Sequence, residues 1–65
     1  MAHTDSKYLY LWRRLERVVN ALSESGRKDE ADYYIADFFL TFEEIDELER
    51  HVEIAERGAK EEGLI

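Results

Sequence analysis

The chain has no cysteine, no proline, and only three glycines among its 65 residues. Without cysteine there is no disulfide staple and no thiolate zinc site. Without proline nothing breaks a helix from within. The glycines Gly26, Gly58 and Gly63 stand where helices are expected to end. No apolar run approaches the roughly 18 residues of a membrane span. Residues 1–7 are polar and lack the apolar stretch of a secretion signal. These absences read as a cytoplasmic, full-length chain with no membrane partner. Phosphate cradles are missing too, because Gly26 stands alone and no P-loop or dinucleotide fingerprint surrounds it.

What is present argues for a folded helical chain. Apolar residues make up 45% and aromatics 12%, more than a disordered chain carries, although the net charge of −7 pulls the other way. A chain of this size buries only about 60% of its unfolded surface, so it holds one domain and often leans on a partner.

Helical periodicity predicts a first helix over residues 5–24, capped by Asp5 or Ser6. Tyr8, Leu11, Trp12, Leu15, Val18, Val19 and Leu22 form its apolar face. A second helix over 28–40 carries Tyr33, Tyr34, Ile35, Ala36, Phe38, Phe39 and Leu40 on almost every side, a pattern that calls for cover from more than one neighbour. A third over 42–58 has the stripe Ile45, Leu48, Val52 and Ala55. Thr41 and Glu44 fit a capping box there, and Gly58 is the expected stop. The tail 59–65 is expected to fray unless Leu64 and Ile65 dock.

Residues 28–58 also keep one helical period throughout. A two-helix antiparallel hairpin is therefore the alternative, dimerising into a four-helix bundle. In a monomeric hairpin Leu48, Val52 and Ala55 would overhang the first helix, and each exposed Leu or Val forfeits roughly 1.5–3 kcal/mol of burial. The expected fold is all-α, a small three-helix bundle broken near residues 40–41.

No constellation points to catalysis. Ser6, Ser23 and Ser25 sit at helix ends, where serine serves as a cap. The carboxylates fall on exposed positions, and so small a bundle has little room for a pocket that would shift their pKa. The expectation is no enzyme, no cofactor and no small-molecule substrate. Glu44, Glu47 and His51 share one side of the third helix, but the Glu-x-x-His of di-iron bundles is absent because Leu48 precedes His51 by three. They read as a solvated helix face, and no metal is expected.

Charge is unevenly spread. Residues 1–28 carry a net +3 and residues 29–65 a net −10. Glu43, Glu44, Asp46, Glu47, Glu49, Glu53 and Glu56 crowd the third helix, a surface that attracts basic partners. Leu9, Tyr10, Tyr33, Phe39 and Ile54 fall off the apolar stripes, and five such residues in so short a chain suggest an interface. Tyr10, Arg13 and Arg17 form an outward stripe suited to phosphate and base contacts. The bland reading of the basic residues pairs Arg14 and Arg17 with Glu49 and Glu56.

In length, helical layout and the run Lys28, Asp29, Glu30, Ala31, Asp32, the chain resembles small helical-hairpin regulators that dimerise into four-helix bundles and grip RNA. Its aromatic-rich middle segment departs from them. Three functional expectations follow. The first is a regulator that binds a basic protein partner through Glu43, Glu44, Glu47, Glu53, Tyr33 and Phe39, as a homodimer. The second is a nucleic-acid-mimicking inhibitor, of the kind a virus or mobile element encodes. The third is an RNA-binding regulator using Tyr10, Arg13 and Arg17.

Overall fold

A computed structural model describes residues 6–40 and 44–65, which form three helices and no strand: α1 (Ser6–Glu24), α2 (Lys28–Leu40) and α3 (Ile45–Glu61). The molecule is a compact three-helix bundle, 33 Å along its longest axis. An α-helix the length of α1 spans about 28 Å, so the helices run along that axis. The continuous 28–58 helix of the hairpin alternative does not form, because α2 and α3 are separate elements.

α1 is the axle. It packs against both α2 and α3, whereas α2 and α3 approach each other much less. The start of α1 meets the end of α2: the Tyr8 and Phe38 rings lie 4.9 Å apart and those of Trp12 and Phe38 5.2 Å, so the two helices are antiparallel. α3 runs parallel to α1, since Lys7 pairs with Glu49 at 3.1 Å and Arg14 with Glu56. The first partner is one heptad before the second on each helix, so the pairs repeat along a single seam, as flanking charges do in parallel coiled coils.

Tyr8, Leu11, Leu15, Val18, Val19 and Leu22 of α1 are buried with Ala31 and Phe38 of α2 and Leu48, Val52, Ala55 and Ala59 of α3. The α1 and α3 positions recur at three and four residues, as an amphipathic face requires. Side chains shrink along α3 from Leu48 to Ala59. Toward that end an opening of about 120 Å³ remains, floored by Val18, Leu22, Ala55 and Ala59 and rimmed by Arg27, Glu30 and Glu62.

α1 and α3 end in the same way. Gly26 takes φ 80° and Gly63 φ 78°. The Arg27 N–H donates to the Leu22 carbonyl and the Gly26 N–H to Ser23. In the second cap the Leu64 N–H donates to Ala59 and the Gly63 N–H to Lys60. Both are Schellman caps, with glycine at the left-handed position.

Two boundaries differ from the sequence expectation. Gly58 does not stop α3, which continues to Glu61; with nothing within 4 Å of a Cβ there, the position is an open helix surface. In the tail, Leu64 and Ile65 pack against the core, the docked arrangement of the two expected. Glu44 is not the third residue of a capping box. It is itself the N-cap, in extended backbone with no side-chain cap bond. Asp5 and Thr41, the other caps expected, lie outside the described residues.

Candidate protein-interaction surface

α2 carries the anomaly. Its 13 residues are apolar on most sides, yet Ala31 and Phe38 are its buried positions, with Tyr34 and Ile35 half-buried. The expected all-round cover is missing, since α1 covers one face. Asp29, Asp32, Tyr33, Ala36, Phe39 and Leu40 are all exposed. On a helix they form one continuous strip facing away from the core. Leu40 is 83% exposed, Tyr33 65% and Phe39 52%. The Phe39 ring lies 5.1 Å from Trp12, so the strip continues onto α1, where Leu9 is also exposed. The outer face of a helix in a small soluble protein is ordinarily polar.

The acidic helix is less uniform than its composition suggests. Glu49 and Glu56 turn inward to the ion pairs with Lys7 and Arg14. Arg14 grips Glu56 through two bonds, Nε to Oε2 at 3.1 Å and Nη2 to Oε1 at 2.5 Å. That bond holds the Glu56 carboxyl below its ordinary range and raises the guanidinium above its own. Glu44, Asp46, Glu47 and Glu53 face solvent, and Arg50 and Arg57 are exposed among them. The outer face of α3 is therefore a mixed-charge surface with an acidic excess. Glu43 lies outside the described residues.

Arg27 closes one end of the bundle. Its Nε and Nη2 donate to Glu30 and its Nη1 to Glu62 at 2.6 Å, joining the α1–α2 turn to the cap of α3. Tyr10 and Arg13 sit exposed on α1, and so does Arg17, which draws Glu56 electrostatically without a close ion pair to a described residue. Arg14 lies 5.4 Å from the Tyr10 ring centroid, covering one face of it. Of the expected pairings, Arg14 with Glu56 forms, and Lys7 takes Glu49.

His51 lies between α2 and α3, its ring 5.6 Å from Tyr34. Burial pushes the imidazole below its ordinary 6.5, while the Asp37 carboxylate pulls the other way. Among the described residues no three His, Asp or Glu side chains come together closely enough to hold a metal ion, so Glu44, Glu47 and His51 are not assembled into a site. No described helix is long and apolar enough to cross a membrane.

No family model, no curated protein and no solved structure matches this chain.

That surface combines an exposed aromatic and aliphatic cluster with patterned charge, as a protein-interaction surface does. All five off-stripe residues, Leu9, Tyr10, Tyr33, Phe39 and Ile54, are exposed. Leu40, the most exposed of the large apolar residues among those described, was missed. It follows two phenylalanines and reads as part of the same buried run. Its place opposite Phe38 and Ala31 on the helical wheel is the signal that would have singled it out.

Proposed function

We propose that the chain is a non-enzymatic protein-interaction module that binds a basic protein partner. The exposed face of α2 is the observation that carries this reading. Leu40, Tyr33 and Phe39 lie open to water, and full burial of such a side chain contributes about 1.5–3 kcal/mol. The exposed carboxylates Glu44, Asp46, Glu47 and Glu53 of α3 add a field that favours a cationic partner. Arg50 and Arg57 interrupt the acidic row, which weighs against a continuous imitation of a phosphate backbone.

A second copy of the chain is the other occupant this surface admits. Each copy carries −7, so self-association works against its own charge. A second reading, RNA binding, rests on a different observation: Arg13 and Arg17 are exposed on one face with Tyr10, whose ring Arg14 covers on one side, an arrangement suited to phosphate contacts and to stacking of a base on the open side.

The test is capture of partners from native extract after nuclease treatment. Wild type would be compared with Glu47→Lys plus Glu53→Lys, with Phe39→Ser plus Leu40→Ser, and with Arg13→Ala plus Arg17→Ala. The interaction reading expects a basic protein that survives nuclease and is lost in the first two variants. Capture indifferent to both would sink it. Nucleic acid lost only in the arginine variant would move the function to α1.

A further inference from the structure

We propose that the outer strip of α2 is a docking track for a cationic amphipathic helix. This rests on the interaction reading above and adds the shape and charge of the partner segment.

The strip has two chemically distinct halves. Near the start of α2, Asp29 and Asp32 are exposed; from Tyr33 onward come Ala36, Phe39 and Leu40. Tyr33, Ala36 and Leu40 recur at three and four residues, the spacing with which one helix presents a ridge to another. Trp12 and Leu9 extend the apolar half sideways onto α1. The strip itself holds no cation, and Lys28 lies beside it at the first turn.

Charge selects the occupant. Two copies meeting through α2 would bring Asp29 and Asp32 against a partner strip equally devoid of cations, and unpaired carboxylates at an interface are costly. A helix with leucine-like residues at one end and Lys or Arg at the other satisfies both halves at once. The apolar residues cover Phe39 and Leu40, and the cations meet Asp29 and Asp32. Helix-in-groove recognition of this kind is read through anchors spaced at three, four and seven residues.

The experiment titrates the isotope-labelled full chain with a Leu/Lys model helix whose contact face, spaced at three and four residues, carries leucines in one half and lysines in the other. Its scrambled isomer and a Leu/Glu counterpart serve as controls. Binding is followed by amide chemical shifts and by anisotropy of the labelled peptide. Shifts are expected to concentrate at Tyr33, Ala36, Phe39 and Leu40. Affinity for the Leu/Lys helix should exceed that for the scrambled peptide, and fall about tenfold or more in Tyr33→Ser plus Leu40→Ser, as when central apolar anchors are removed. Equal binding of the scrambled peptide overturns the proposal, as do shifts confined to α3. Sedimentation equilibrium showing a wild-type dimer that dissociates in the same variant assigns the strip to a second copy and also overturns it. If the peptide ignores α2 while charge reversal on α3 still abolishes partner capture, the docking track fails and the interaction module stands.

Discussion

Phe38 is 1% exposed and its neighbour Phe39 is 52% exposed. Residues next to each other on a helix point in directions 100° apart, and with α1 covering mainly one face of α2 they meet different environments. Phe38→Ala is expected to cost about 3–5 kcal/mol, against a total of roughly 3–10 kcal/mol for a chain of this length. Circular dichroism should show a thermal midpoint far below that of wild type. Leu40→Ser should leave the unfolding free energy from urea titration within about 0.5 kcal/mol of wild type. His51 gives the chain a second residue-scale signature. The folded state favours the neutral ring, so the stability it contributes is complete above pH 6.5 and is lost as pH falls toward the lower pKa of the folded protein. Glu56 and Glu30 are held down by arginines, so their contributions are complete above 4.5 and are lost only as pH falls below it. Urea midpoints between pH 7 and 5 should decline in wild type and stay flatter in His51→Gln.

At the scale of elements, α1 was legible because its apolar residues keep one face for five turns. α2 was legible as a helix but not in its burial. Periodicity states which residues share a face, and says nothing about how many neighbours arrive to cover it. The end of α3 was misread because glycine is ambiguous: Gly26 and Gly63 adopt positive φ and terminate helices, while Gly58 does not and is helical. What separates them is burial four residues earlier: Leu22 and Ala59, which accept the closing hydrogen bonds, are buried, whereas Ile54, the equivalent position before Gly58, is exposed. The two kinds of glycine should respond oppositely to a methyl group. Gly58→Ala meets nothing within 4 Å and should stabilise by about 0.5–1 kcal/mol through helix propensity. Gly26→Ala has equal space, but its φ of 80° should cost about 1–2 kcal/mol. Thermal midpoints moving the same way in both variants would contradict this account.

On the scale of the whole molecule, the number of helices followed from a length argument. A hairpin would have left Leu48, Val52 and Ala55 without cover, and in the bundle all three are buried. The candidate surface was half legible in the same way: off-stripe positions are visible in the sequence, whereas the loss of Glu49 and Glu56 from the acidic face depends on the register of α1 and α3. Charge counts offered Glu49 and Glu56 as partners for Arg14 and Arg17. The parallel register gave Glu49 to Lys7 instead. That register also has an electrical consequence. The peptide dipoles of α1 and α3 point the same way, and antiparallel α2 cancels only one of them. About half an elementary charge remains at each pole of the bundle. The negative pole is the end where α1 and α3 terminate, the end that Arg27 clamps and where Asp29 stands exposed. The positive pole is the end where Phe39 and Leu40 lie. Side chains offset that field: Asp46 and Glu47 sit in the first turn of α3 at the positive pole and Lys60 in its last turn at the negative one, so the backbone dipole is compensated where the helix begins and where it ends.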